Sequence, residues 1–326
     1  MDEEEETKEK ERRHLADCMN TIIRQLGTDK KNPAVHTYRS TLNSFRKFSG
    51  GAEAEMPIDE VFKPGKLKEY ETWLRQKGLK WNSVSTYMRT LKAVYNRLYL
   101  PGSAEHDPGL FDDVYTKVES QTKRALDKEQ MQTLLDAASA GLPEDVQCVL
   151  VYFLLMFLFR GMPFIDLCYL RKQDLQGNCI VYCRHKTGRQ IVVRIPREAQ
   201  QWFERYRNKK AGSTYLFPIL SEAAKEDEEV YACYRQALRR FNRQLKKMAS
   251  LSMPGVKISS YTARHTWATL AYHQGINTGV ISQALGHSSI KVTETYLKPF
   301  KDEMVDAANE ELIVSVMKSK KDKNAA

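Results

Sequence analysis

Three short segments near the C-terminal end of the chain carry side chains that are suited to nucleophilic chemistry. Tyrosine offers an oxygen nucleophile, arginine a planar set of donors for an anionic oxygen, and histidine a hydrogen bond of either direction. These groups are Tyr296, Arg264 and His287. Singly each is a weak signal, because an arginine on a helix is usually a surface residue and a lone tyrosine is usually core. The segments that hold them are residues 260–269, 285–289 and 293–296.

The order of these segments resembles the tyrosine recombinase, or phage integrase, family. That family carries an Arg-His-Thr helix, a Leu-Gly-His-Ser turn and a tyrosine nine residues after that histidine, as residues 264–266, 285–288 and 296 do here. The likeness extends to Arg124-Ala125-Leu126, which is similar to the start of the family's catalytic domain, and to residues 33–100, which are similar to its helical core-binding domain. The resemblance implies attack on a DNA phosphodiester that gives a 3′-phosphotyrosyl enzyme, without ATP, metal or other cofactor.

The resemblance also implies roles for individual residues. Tyr296 matches the nucleophile, Arg264 the second arginine of the phosphate clamp, and His287 the histidine that hydrogen-bonds the scissile phosphate. Lys186 matches the general acid that protonates the leaving 5′-oxygen, although a lysine at a hairpin tip can also be merely solvent-exposed. His265 is interpreted as a structural residue.

Two positions depart from the family pattern. The first clamp arginine normally stands in a stretch such as Thr-Gly-Leu-Arg, but here the matching residue is Pro163. Arg160, about one helical turn earlier, is predicted to replace it, and the alternative is that it caps the preceding helix. Tyr261 stands where the family usually has histidine. Because a phenol is a poor proton acceptor at neutral pH, Tyr261 is expected to order the phosphate or the nucleophile.

The composition sets the frame around these residues. A chain of 326 residues favours two domains, and its net charge is +10. Residues 1–13 carry seven acidic and four basic side chains, so the remainder holds +13, which fits a polyanionic partner or simply a basic protein. The acidic start differs from a signal peptide, and no apolar run is long enough to span a bilayer. The six cysteines show no metal-site spacing. A cytoplasmic protein without a membrane partner is therefore expected.

Helical periodicity organises the first part of the chain. Apolar residues recur at helical spacing from Asn32-Pro33 for about 16 residues, and again over residues 66–77 and 82–100. Basic side chains stand between these stripes. They form either the solvated face of a helical bundle or a module that binds double-stranded DNA. The DNA-binding residues predicted on this basis are Arg39, Lys47, Lys80, Arg89 and Lys92.

A second domain follows Pro101-Gly102, where the periodicity breaks. Asp127 and Gln130 form a capping-box signature that opens its first helix. A β-hairpin is predicted from residues 179–182 and 191–195 around the turn at 186–188. Further helices are predicted over residues 145–159, 164–170, 197–208, 226–249, 261–273 and 278–285.

The predicted fold is therefore mainly α, with a helical SAM-like core-binding domain and a mostly helical catalytic domain that holds one small antiparallel sheet. The predicted divisions are a disordered acidic head over 1–13, a core-binding domain over 14–105, a linker over 106–123, a catalytic domain over 124–317 and a basic tail over 318–326.

The last apolar stripe is helical in spacing and follows Tyr296. Family resemblance implies that such a tail docks on a neighbouring protomer of a homotetramer that holds two DNA sites, and the alternative is packing within its own chain. The stripe consists of Met304, Val305, Ala308, Leu312, Ile313 and Val316.

The preferred interpretation is a site-specific recombinase of the integrase or invertase type. The alternatives are an enzyme like type IB topoisomerases, which acts on one duplex as a monomer, and an inactive DNA-binding protein of the same fold. Pro163 and Tyr261 favour the inactive alternative, whereas retention of Tyr296, Arg264 and Lys186 argues against it. Formation of a covalent protein–DNA adduct would separate enzyme from binder.

Overall fold

A computed structural model describes residues 13–51, 56–119, 125–139, 142–297 and 302–323. The chain divides into two compact units, residues 1–121 and 122–326. The acidic head that we predicted to be disordered lies outside the described residues except for Arg13, and so does Arg124. Within the described ranges, no helix is long and apolar enough to cross a membrane.

The N-terminal unit is a helical bundle in which each helix buries one apolar face. Helix α1 was not predicted, yet its apolar residues follow helical spacing and five of them are buried, from Leu15 to Leu26. Phe45 and Tyr70 pack edge to face in the same core, with ring centroids 4.8 Å apart. The helices are α1 (Leu15–Thr28), α2 (Asn32–Phe48), α3 (Ile58–Val61), α4 (Pro64–Gln76) and α5 (Trp81–Leu98).

The first part of the predicted linker packs on this N-terminal core. Leu110, Phe111 and Val114 are buried there among the helices. The Glu71 carboxylate accepts a hydrogen bond from the backbone N–H of Tyr115, at 2.5 Å. These contacts place residues 110–115 within the N-terminal unit.

The C-terminal unit surrounds the apolar helix α7, which is buried on nearly every side. Its three short strands form one antiparallel sheet in the order β1-β2-β3, with Ile180 opposite Val193. The predicted fold class, mainly α with one small antiparallel sheet, is confirmed. The elements are α6 (Lys128–Ser139), α7 (Glu144–Leu158), α8 (Phe164–Tyr169), β1 (Leu175–Gln176), β2 (Cys179–Cys183), β3 (Gln190–Arg194), α9 (Arg197–Tyr206), α10 (Asp227–Ser252), α11 (Ser260–His273), α12 (Thr278–Ala284), α13 (Ile290–Glu294) and α14 (Asp302–Lys323).

Capping interactions fix the start of this unit. The Asp127 carboxylate accepts from the backbone N–H of Gln130 at 2.8 Å, and the Gln130 side-chain oxygen accepts from the N–H of Asp127 at 3.1 Å. This is the reciprocal capping box that the sequence predicts. The Thr266 hydroxyl accepts the buried N–H of Leu126 at 2.9 Å, which ties the start of the unit to α11.

A sharp reversal after α7 brings the chain against α11. Arg160 and Gly161 both have left-handed backbones, with φ of 58° and 67°. The N–H of Met162 returns to the carbonyl of Met156 at 2.9 Å, as in a helix-terminating Schellman turn. Pro163 then precedes the first residue of α8. A Cβ at Gly161 would lie 3.1 Å from the Arg264 Cα, so this close approach favours glycine.

Candidate active site

Arg264 is the buried centre of the site, with only 2% of its surface exposed. It stands on the inward face of α11, whose first turn is capped where Thr262 Oγ1 accepts the N–H of Ser259 at 2.9 Å. Its Nη1 donates to the Gly161 carbonyl at 2.9 Å, and its Nη2 donates to the Leu285 carbonyl at 2.6 Å. Burial, followed by the nearby charge of Arg184, lowers the pKa of Arg264.

Three arginines bind the turn that follows α12. Its three consecutive carbonyl oxygens belong to residues 285–287. Arg264 binds the first of them, Arg184 Nη1 donates to the Gly286 carbonyl at 2.8 Å, and Arg189 Nη1 donates to the His287 carbonyl at 2.7 Å. The guanidinium groups therefore set the position of the whole turn.

The hydrogen bonds of His287 determine its tautomer. Its Nε2 lies 2.9 Å from Arg264 Nη2, and because a guanidinium can only donate, Nε2 must accept. The proton of the neutral ring therefore sits on Nδ1, which lies 2.9 Å from Thr293 Oγ1. Burial, then the positive charges of Arg264, Arg184 and Lys186, lower the pKa of His287 to about 3. His287 is thus neutral near pH 7 and holds Arg264 through its free lone pair.

Tyr296 lies within this cluster, with 8% of its surface exposed. Its ring is stacked against His287 at a centroid distance of 5.0 Å and lies 4.7 Å from the ring of His265. The Arg264 guanidinium carbon lies 5.5 Å above the Tyr296 ring. The N–H of Tyr296 donates to the Thr293 carbonyl at 2.8 Å, so Thr293 contacts both His287 and the tyrosine segment.

Tyr261 completes the aromatic group. Its ring stacks on that of Tyr296 with an interplanar angle of 17° and centroids 6.5 Å apart, while 48% of the residue is exposed. Desolvation of the phenol, followed by the adjacent Tyr296 hydroxyl, raises the pKa of Tyr261 to about 12. The phenol stays protonated at neutral pH and can donate a hydrogen bond. His265 joins the stack, with a ring centroid 5.9 Å from that of Tyr261.

The two other predicted site residues lie on the sheet side of the unit. Lys186 is exposed in the loop between β2 and β3, close enough for its charge to affect His287. Arg160 is exposed at the reversal after α7, and its Nη1 donates to the Val192 carbonyl on β3 at 3.2 Å. Arg160 thus follows the sheet, while the carbonyl of the next residue, Gly161, binds Arg264.

Arg184 and Asp166 are buried residues that the sequence analysis did not select, each with 3% exposure. Asp166 Oδ1 accepts the N–H of His185 at 2.9 Å, and its Oδ2 lies 4.0 Å from Arg184 Nε. Burial raises the pKa of Asp166 to about 6. The overlooked signal is strand alternation, since Ile180, Tyr182 and Arg184 occupy successive inward positions along β2.

The predicted DNA-binding residues belong to the N-terminal unit. Arg39 and Lys47 lie on α2, Lys80 directly precedes α5, and Arg89 and Lys92 lie on α5. All are exposed except Lys92, which is half-buried and whose ammonium lies 5.7 Å from the centroid of the Phe111 ring.

Comparison with known proteins matches both units. Residues 124–303 match the phage integrase family and residues 14–108 match the phage integrase SAM-like domain. The chain is 24% identical over 230 residues to tyrosine recombinase XerA of Pyrococcus furiosus, covering 69% of this chain and 72% of that protein.

Two solved structures share the fold. One is the Tn1549 transposon integrase in complex with a circular intermediate DNA, with a TM-score of 0.64, 18% identity, and coverage of 91% of this chain and 99% of that one. The other is a lambda integrase tetramer bound to a Holliday junction, with a TM-score of 0.61, 15% identity, and coverage of 90% and 80%.

The histidine network makes a direct spectroscopic prediction. We expect His287 to show the Nδ1–H tautomer at pH 7 in ¹⁵N–¹H spectra of histidine-labelled protein, with its signals assigned from the His287→Gln variant. Thr293→Val removes the acceptor of Nδ1–H and should weaken this tautomer preference, whereas Thr293→Ser keeps the hydroxyl and should preserve it. Identical histidine spectra for the wild type and Thr293→Val would contradict the assignment.

The same network makes stability depend on pH. The unfolded chain protonates His287 near its ordinary pKa of 6.5, but the folded chain does so only near 3. The neutral ring therefore supports folding above about pH 6.5, and this contribution is lost as the pH falls from 6.5 toward 3. His287→Gln should flatten this part of the unfolding free energy profile.

Proposed function

Because the chain belongs to the phage integrase family of tyrosine recombinases, we propose that Tyr296 is the nucleophile with which it breaks and rejoins DNA at specific sites. The observation that carries this assignment is the convergence of Tyr296, Arg264 and His287 in one buried cluster. The three come from separate segments of the sequence, and packing brings them within contact of one another.

The chemistry is a transesterification. The Tyr296 oxygen forms a bond to phosphorus as the bond from phosphorus to the 5′-oxygen breaks, so the phosphodiester energy is kept in a 3′-phosphotyrosyl link. The phenol loses its proton and the leaving 5′-oxygen gains one, for which Lys186 is the proposed donor. Reversal of these steps with a different 5′-hydroxyl rejoins the strands.

Arg264 is proposed to bind the non-bridging phosphate oxygens, where negative charge gathers in the transition state. Its guanidinium is already oriented by the carbonyls of Gly161 and Leu285. The third acceptor of Arg264 is His287 Nε2, and a phosphate oxygen at this guanidinium would compete with that nitrogen. Tyr261 is proposed to donate a hydrogen bond beside Tyr296, consistent with its raised pKa.

The exposed basic residues of the N-terminal unit are proposed to bind the duplex backbone. Arg39 and Lys47 on α2, with Lys80 and Arg89 at α5, offer cations on a stable helical scaffold. Such contacts position a duplex without reading its sequence.

The C-terminal helix α14 is proposed to dock on a second copy of the chain. It carries exposed apolar side chains, including Val305, Ile313, Val314 and Met317. Apolar residues exposed together on one helix favour a protein interface. The solved lambda integrase is a tetramer on a Holliday junction, and we propose the same number of protomers here.

Replacing Tyr296 with Phe tests the central assignment. This change removes only the nucleophilic oxygen, so cleavage should be abolished while DNA binding stays nearly intact. The probe is a nicked duplex chosen from a randomised library by covalent adduct formation with the wild-type chain, and the readout is the protein–DNA adduct on a denaturing gel. Persistent adduct formation by the variant would exclude Tyr296. Strand exchange between two such duplexes, absent for a topoisomerase, tests the recombinase class.

DNA affinity should weaken steeply with salt, because cations that neutralise phosphates release counterions. In a double variant, Lys47→Gln with Arg89→Gln, the slope of log affinity against log salt should become shallower by about two. Fluorescence anisotropy of the selected duplex measures both slopes. Equal slopes for the wild type and the double variant would contradict a role for these two residues.

Removal of residues 302–326 tests the docking of α14. The truncated chain should still cleave a single duplex, but the tetrameric complex on two duplexes should be lost. Sedimentation velocity of the DNA-bound protein measures the number of protomers. A tetramer that persists without α14 would show that the helix does not carry the assembly.

A further inference from the structure

The position that the family uses for its first clamp arginine is occupied by Pro163, which can donate no hydrogen bond from its side chain. Phosphoryl transfer leaves charge on two non-bridging oxygens, and one guanidinium serves them less well than two. Resting on the function proposed above, we propose that Arg184, at the end of β2, is the second arginine that binds the scissile phosphate. It would enter the site from the hairpin.

Burial and unmet hydrogen-bonding capacity first distinguish Arg184. Its residue is 97% buried, since 3% of its surface is exposed, and its Nε is buried without a hydrogen-bond partner. The Nε of Arg264 is in the same condition. Two buried guanidinium groups with unused donors are costly unless an anion completes them.

The position of Arg184 beside Arg264 is the second argument. The two side chains donate to the adjacent carbonyls of Gly286 and Leu285. Arg184 is also close enough that its charge is the second cause of the lowered pKa of Arg264. The guanidinium groups therefore flank one region, as a pair that binds a single phosphate must.

The local charge balance favours an anion at this place. Arg184 and Arg264 contribute two positive charges, whereas Asp166 contributes at most one negative charge and His287 is neutral at pH 7. Asp166 lies 4.0 Å from Arg184 Nε, beyond hydrogen-bond distance. A phosphodiester carries one negative charge and would offset the remaining positive charge.

The hairpin gives Arg184 a further connection to the reaction. Arg184 and the proposed general acid Lys186 are two residues apart in the same loop, and Asp166 fixes that loop by accepting the N–H of His185. Phosphate binding by Arg184 would therefore also position Lys186 near the leaving oxygen. Arg160, by contrast, is exposed and donates to Val192.

The experiment varies the charge of the enzyme and of the substrate together. Cleavage is measured in single turnover on the selected nicked duplex, with either a phosphodiester or a methylphosphonate at the scissile position. The methylphosphonate lacks one negative charge and so depends less on a cationic partner. The enzymes are the wild type, Arg184→Lys, which keeps charge but loses the planar fork, Arg184→Ala, and Arg160→Ala as the rival assignment.

On the phosphodiester, Arg184→Ala should lose about 10²-fold or more in cleavage rate, the usual scale for one preorganised donor to an oxyanion. Arg184→Lys should fall between it and the wild type. On the methylphosphonate the loss for Arg184→Ala should shrink to about tenfold or less, by the same reasoning. A purely structural role would lower both rates by the same factor.

Equal losses on the two substrates would therefore overturn the proposal, and so would a substrate-dependent loss that appears in Arg160→Ala but not in Arg184→Ala. If Arg184→Ala does not fold, as judged by thermal unfolding, the same comparison is made with Arg184→Lys. Failure of the wild type to form any adduct would count against the proposed function itself. That outcome is separate from the result for Arg184.

Discussion

The contact on which the rest of the site depends is the binding of three arginines to the carbonyl oxygens of residues 285–287. These oxygens follow the last turn of α12, where a helix leaves its carbonyls without partners and presents the negative end of its dipole. Arg264, Arg184 and Arg189 satisfy one carbonyl each. A helix from one part of the chain and a hairpin from another are thereby joined to the turn that carries His287.

Two glycines permit this arrangement, because each stands where another backbone or side chain comes close. Gly286 has φ of 64°, and a Cβ there would lie 2.6 Å from Ile191 Cδ1 and 3.2 Å from Arg184 Cδ. Gly161 has φ of 67° and would place a Cβ 3.1 Å from the Arg264 Cα. Any larger residue at either position would separate the arginines from the carbonyls that orient them.

The same contacts govern the electrostatics of the reaction. The positive charges around His287, together with burial, keep its ring neutral, and Arg264 then uses the ring as a hydrogen-bond acceptor. Tyr296 stacks on this ring and lies below the Arg264 guanidinium. In the absence of DNA the site thus holds its nucleophile and its cations in contact, with protein groups in the places that a phosphate oxygen would compete for.

The sequence by itself determined the elements and the identity of the reacting groups. Helical periodicity, capping residues and strand alternation are local properties, so the predicted hairpin and most of the predicted helices correspond to observed elements. The same periodicity was present over Leu15 to Leu26 and was overlooked. The order of Arg264, His287 and Tyr296 was sufficient to indicate the family, because it reflects a shared chemistry.

Only the tertiary structure decided how those groups are oriented. Residues 110–115 were assigned to a linker because turn residues precede them, but burial of Phe111 depends on helices far away in sequence. Likewise, Arg160 is an arginine of suitable reach by sequence, whereas its observed contact is with β3. Arg184 meets Gly286 across 102 residues. No local pattern encodes such a pairing, because burial and hydrogen-bond partners are set by the packing of the whole domain.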